Sequence, residues 1–167
     1  EREIRYDRLG QGEPLIIVHG TPWSSFNLRH LIRRLSVEYE VFFYDLLGYG
    51  QSSKEEGEVS LDIQNQVLDA LIDLWGLNNP TVIGHDFGGA VALRTHLINK
   101  RDFRKIVLID PVALSPWGSP FFSHVAQYQE AFIGLPDKIH EAIVRSYIET
   151  AMHTQLDEET LNRTVSP

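Results

Sequence analysis

The chain has 167 residues and a net charge of −8; 43% are hydrophobic and 23% charged, the balance of an ordinary globular domain large enough for one core. Its acidic residues are scattered and it has no basic block, which argues against nucleic acid or an anionic membrane surface as a partner. It has no cysteine, so disulfides, thiolate catalysis and cysteine-ligated metal are excluded, and the composition is compatible with the cytoplasm.

In chain order, a short strand is expected over Ile4–Arg8, turned by Gly10-Gln11-Gly12 into a second, Leu15-Ile16-Ile17-Val18. Leu28, Leu31, Ile32 and Leu35 then recur at helical spacing. Val41-Phe42-Phe43-Tyr44 reads as a third strand ending at Asp45, and a loop rich in glycine, serine and charge runs on to Val59. Ser60 is placed to cap a helix whose apolar face is Val67, Leu68, Leu71 and Leu74, with Gly76 to end it. Thr81–Ile83 and Ile106–Ile109 are two more apolar strands, the last ending at Asp110-Pro111. Apolar strands alternating with amphipathic helices predict a mostly parallel, doubly wound α/β sheet covered on both faces. Ligands of such sheets bind at the carboxyl ends of the strands, where His19-Gly20, Asp45, Asp86 and Asp110 fall. After Pro111 the pattern changes to proline and aromatic residues, then to helical pieces around Val125–Phe132, Asp137–Ile148 and Asp157–Arg163. The boundary is set at 114/115. No run is long enough to cross a bilayer, and no signal peptide is evident.

The segment Gly84-His85-Asp86-Phe87-Gly88-Gly89 lies between the Thr81–Ile83 strand and an alanine-rich helical stretch. A G-x-nucleophile-x-G frame on a strand–turn–helix puts the central side chain on a strained turn, with glycines where a Cβ would crowd the backbone. The central residue here is Asp86. A carboxylate needs no base to activate it, and its natural target is an sp3 carbon bearing a leaving group. The other role open to Asp86 is to cap the helix that follows.

Two further motifs stand in register with this one: His19-Gly20-Thr21-Pro22 after the second strand, and Asp45-Leu46-Leu47-Gly48-Tyr49-Gly50-Gln51-Ser52 after the third. Together the three resemble the oxyanion loop, the D-x-x-G-x-G-x-S loop and the aspartate elbow of an α/β-hydrolase of the haloalkane dehalogenase and epoxide hydrolase branch, over Ile4–Ala113. The resemblance implies the α/β-hydrolase fold, with 1–114 the N-terminal part of the core and 115–167 the start of a helical cap. The family's last strands, and the histidine carried after them, are not found here, so the chain is expected to be the N-terminal portion of a longer protein. None of its seven histidines is expected to be the catalytic base.

The chemistry implied by the resemblance is a cofactor-free hydrolysis of a small, mostly apolar epoxide or haloalkane. Asp86 forms an alkyl ester, which water then cleaves. Thr21 and Phe87 supply backbone N–H groups to the oxyanion. Asp110 is a candidate acid partner of the histidine, and equally a turn-forming Asp before proline. Trp23, Phe87, Trp117, Tyr128 and Tyr147 are candidate pocket residues. The Phe87 side chain has no N–H to hold a halide, where the dehalogenases usually carry tryptophan, and Thr21 replaces an asparagine that serves as second halide donor in one branch. The open alternatives are a relative acting on another substrate and a non-catalytic binding protein on this fold. The histidines lack metal-site spacing, so no metal is expected, and the partners are a small molecule and water. The sequence carries no signal of oligomeric state.

Overall fold

The computed structural model describes residues 2–55, 57–115 and 118–165. It divides into two compact units, Glu1–Ala113 and Leu114–Pro167.

The first unit is built on five strands: β1 (Tyr6–Leu9), β2 (Glu13–Val18), β3 (Tyr39–Tyr44), β4 (Thr81–His85) and β5 (Lys105–Ile109). Their order is β1-β3-β2-β4-β5. β1 runs antiparallel to β3, and the other neighbours are parallel. Side chains alternate across the sheet with a period of two. Ile16 and Val18 join Phe42, Tyr44, Leu68, Ile72, Val82 and Val91 on one face. Leu15 and Ile17 join Val41 and Ile32 on the other. The near-continuous apolar strands therefore fill two cores. The first is closed by α2 (Leu61–Leu74) and α3 (Phe87–Leu97), the second by α1 (Arg29–Leu35). Each fully buried aliphatic side chain contributes roughly 1.5–3 kcal/mol.

Three details differ from the sequence expectation. The first strand forms at Tyr6–Leu9 instead of Ile4–Arg8, because β3 sets its register, Tyr6 opposite Tyr44 and Leu9 opposite Val41. The Arg5 carbonyl meets Asp45 N–H (2.9 Å), already beyond the end of β3. Ser60 does sit at the N-terminus of α2 but makes no capping bond; its hydroxyl donates to the Glu58 carboxylate instead (2.5 Å). Leu74 is 64% exposed, while Leu68, Leu71 and Ile72 are buried. At 3.6 residues per turn the inward stripe runs through Leu68, Ile72 and Trp75, and Leu74 falls beside it. Gly76, at φ +66°, ends the helix as expected.

The second unit is helical: α4 (Pro120–Gln127), α5 (Gln129–Ile133), α6 (Asp137–Thr150) and α7 (Glu158–Val165). The helix expected over Val125–Phe132 starts earlier, at Pro120, whose fixed φ suits a first helical position. It breaks at Tyr128, whose backbone leaves the helical region (φ −126°, ψ 42°). Phe121 stacks on Tyr147 (5.2 Å between ring centres), with Phe122 edge-on to the same ring. His124, Tyr128, Ala131, Phe132, Leu135 and Ile143 line an apolar cavity of about 450 Å³. Among the described residues no helix is long and apolar enough to cross a membrane.

Candidate active site

Strand register brings the polar motifs to one edge of the sheet. Val18 lies opposite Tyr44 on one side and Gly84 on the other, and His85 lies opposite Ile109. The next residues, His19, Asp45, Asp86 and Asp110, therefore leave neighbouring strands at nearly the same level. This is the carboxyl end of the parallel strands, where open α/β sheets bind ligands.

Asp86 sits between β4 and α3 with φ 52° and ψ −118°, a conformation that non-glycine residues rarely adopt. Its carbonyl accepts the Gly89 N–H (3.0 Å), opening α3. Its side chain makes no capping bond. Instead Oδ1 accepts the backbone N–H of Thr21 at 2.7 Å, across 65 residues of sequence. Two glycines make this approach feasible. A Cβ on Gly20 would stand 2.6 Å from Asp86 Oδ1, and one on Gly84 would stand 2.6 Å from the Gly89 Cα. Phe87 is the first residue of α3, so its N–H is one of the helix's orphan donors. Its ring packs, partly buried, against the main core cluster.

The loops around Asp86 are cross-linked. Asp45, 4% exposed, accepts the Ser25 N–H on Oδ1 and the Gln51 N–H on Oδ2, each at 2.8 Å. Its carbonyl accepts the Ser52 hydroxyl (2.6 Å). One carboxylate thus ties the loop after β2 to the loop after β3. His19 is buried in the same place. Its Nε2 accepts the Leu46 N–H (2.9 Å), which leaves Nδ1 to carry the proton and donate to the Gly20 carbonyl (2.9 Å). Burial lowers the pKa of this imidazole below 6.5, against the smaller opposing effect of its bond to Gly20. The His19 ring meets the Tyr49 ring edge-on at 5.9 Å. The Tyr49 hydroxyl pairs with Thr21 Oγ1 at 3.1 Å. Burial raises the pKa of this phenol; the Thr21 bond opposes the rise and the charge of Asp86 adds to it.

Asp110 also adopts positive φ (42°) and is exposed. The Asp86 N–H donates to the Ile109 carbonyl (2.9 Å), and the Val112 N–H donates to the Asp86 carbonyl (3.2 Å). Asp110 is thereby bracketed by two bonds to the Asp86 backbone. Its carboxylate accepts no hydrogen bond among the described residues, so it does not close a side-chain turn there.

A sequence profile of the alpha/beta hydrolase family matches residues 15–162. The chain belongs to this family. Among curated proteins it is similar to a haloalkane dehalogenase of Agrobacterium fabrum, 38% identical over 103 residues, which is 62% of this chain and 34% of that enzyme. It is also similar to a soluble epoxide hydrolase of Corynebacterium sp., 31% identical over 111 residues, 65% of this chain and 38% of that one. A crystal structure of an alpha/beta hydrolase fold protein from Burkholderia ambifaria superposes with a TM-score of 0.94 at 44% identity, covering 99% of this chain and 62% of that one. The chain thus spans a little over a third of the length of these two curated relatives.

Of the residues singled out in sequence, the α/β-hydrolase core gathers Thr21, Asp86, Phe87 and Asp110 at one sheet edge. Trp23 is half-buried in the turn after Thr21-Pro22, its backbone N–H on the Gly20 carbonyl (3.0 Å). Tyr128 and Tyr147 belong to the second unit; Tyr128 lines its cavity and Tyr147 its aromatic stack. Trp117 lies outside the described residues. Among the described residues no group of three or more histidine and carboxylate side chains is arranged to hold a metal ion. Sequence reasoning gave no role to the Tyr49 phenol or the Thr21 hydroxyl. Both stand inside motifs, but 28 residues of chain separate them and only the fold joins them.

Proposed function

We propose that this hydrolase-family chain carries the nucleophile of a cofactor-free reaction on a small, mostly apolar epoxide or haloalkane. The observation that carries the proposal is the Asp86 carboxylate. It sits on a strained elbow and leaves its own helix uncapped. It is held instead by one backbone N–H on Oδ1, while Oδ2 has no hydrogen-bond partner among the described residues. Asp86 attacks carbon, the carbon–oxygen or carbon–halogen bond breaks, and an alkyl ester remains on the protein. Water then attacks the ester carbonyl, and the N–H groups of Thr21 and Phe87 stabilise the oxyanion. Asp110 orients the histidine that activates this water. Residues 115–167 form part of a helical cap, and Trp23 and Phe87 contribute to the substrate pocket. Similarity to a haloalkane dehalogenase and a soluble epoxide hydrolase supports both substrate classes.

The test is a rapid-quench reaction with a panel of primary haloalkanes and terminal epoxides, followed by weighing the peptide that contains Asp86. A substrate-sized mass gain that appears before product is expected, and Asp86→Asn abolishes it. Full and immediate turnover by Asp86→Asn would sink the covalent mechanism.

A further inference from the structure

Displacement by a carboxylate creates a second problem, which the Asp86 elbow does not solve. The electron pair of the breaking bond leaves with oxygen or halogen, and a new anion develops beside the ester. Phe87, next to the nucleophile, offers only a ring packed on the core, so its side chain supplies no donor.

The Thr21–Tyr49 pair has the required chemistry. Two hydroxyls carry two hydrogens, and the single bond between them uses one. Whichever oxygen donates, one O–H is left, and neither hydroxyl has another hydrogen-bond partner among the described residues. Both residues are half-buried. The pair is also close to the nucleophile. Thr21 N is 2.7 Å from Asp86 Oδ1. Standard bond lengths keep a threonine's own N and Oγ1 roughly 3 Å apart, so Oγ1 lies within about 6 Å of the carboxylate. The leaving atom of an in-line displacement sits in that range, just beyond the carbon under attack. Tyr49 is held firmly in this position. Its ring packs on His19, its backbone N–H donates to the Leu46 carbonyl (2.9 Å), and its loop is clamped by Asp45. The phenol's raised pKa keeps it protonated, hence a donor, across the working pH range.

We propose that the Thr21–Tyr49 hydroxyl pair is the hydrogen-bond donor to the atom that leaves carbon. The proposal rests on Asp86 being the nucleophile. In the step, the Asp86 oxygen–carbon bond forms and the carbon–leaving-atom bond breaks. The electron pair stays on the departing atom: a halide accepts the spare O–H and the proton remains on the hydroxyl, whereas an epoxide oxygen takes that proton to become an alcohol, and the hydroxyl pair regains a proton from water.

The experiment measures the rate of ester formation on Asp86 in the full-length protein, by rapid quench and mass of the Asp86 peptide. Matched primary alkyl chlorides and iodides are compared. Tyr49→Phe, which keeps the ring on His19, and Thr21→Val each slow ester formation by about 10- to 100-fold. The slowing is greater for chloride, the poorer leaving group. The double variant is little slower than either single one, because the two hydroxyls act as a unit. Thr21→Ser, which retains a hydroxyl, recovers more of the rate than Thr21→Val. Ester formation within twofold of the unaltered protein in both single variants overturns the proposal. So does equal slowing for chloride and iodide, or an increase of the leaving-group dependence in Trp23→Phe instead of Tyr49→Phe. Absence of any ester in the unaltered protein removes the Asp86 nucleophile itself and this proposal with it, whereas a normal ester rate in Tyr49→Phe removes this proposal alone.

Discussion

Asp45→Asn isolates the clamp that holds the two loops beside Asp86. The substitution keeps the shape of the side chain and removes its charge. Asp45 is 4% exposed and accepts two backbone N–H groups, from Ser25 and Gln51, both at 2.8 Å. An asparagine has one oxygen, so one of those N–H groups then faces an NH2 donor. Hydrogen bonds to a charged acceptor contribute roughly 1.5–3 kcal/mol each, and a buried donor left unpaired costs about as much as the bond it lost. The expected destabilisation is about 2–3 kcal/mol, a large share of the roughly 5–15 kcal/mol typical of a domain. With a urea slope of about 2 kcal/mol per molar, the unfolding midpoint falls by about 1 M. Tryptophan fluorescence in a urea titration reads it directly, since Trp75 packs on Phe42 in the main core. The slope is expected to stay constant. A midpoint shift below about 0.3 M at unchanged slope would refute the clamp.

Two further outcomes follow from the same geometry. Because burial lowers the His19 pKa below 6.5, the unfolded chain takes up a proton that the folded chain refuses. The resulting stability is complete above pH 6.5 and is lost as pH falls below it. Replacing His19 with Gln is expected to remove up to about 1.4 kcal/mol of the difference in stability between pH 7.5 and 5.5, and an unchanged pH dependence of urea unfolding would contradict this. Gly20→Ala puts a methyl 2.5 Å from Asp86 Cβ and 2.6 Å from Oδ1. It is expected to cost about 1–3 kcal/mol by overpacking. It should also displace the carboxylate from the Thr21 N–H; ester formation on Asp86 at the unaltered rate would show that the approach is not as close as the geometry requires.

Much of the fold was legible in the sequence because its signals are local. The unbroken apolar run Leu15, Ile16, Ile17 and Val18 marks a strand buried on both faces, and Gly76 marks the end of α2. The misses were also local in origin. The pattern carried Leu74 into the buried face, although the inward stripe passes beside it, and it assigned Ser60 a cap that Glu58 takes away. The exposure of Leu74 is not visible until the helix is laid on the sheet, whereas the Ser60–Glu58 bond spans only two residues.

By itself the sequence determined which residue types stand at the carboxyl ends of the strands: Asp86 between glycines, Asp45 before a glycine-rich loop, and Asp110 before a proline. Only the tertiary structure shows that the Asp86 side chain does not cap the helix that follows it. The local sequence, with its glycines and its strand-to-helix context, favours a presented carboxylate without excluding a helix cap. The 2.7 Å bond from Thr21, 65 residues away, draws the side chain off its own helix. The Thr21–Tyr49 pair has the same origin, since it depends on β2, β3 and β4 lying side by side in register. Strand order and register are non-local, and no period within one segment encodes them.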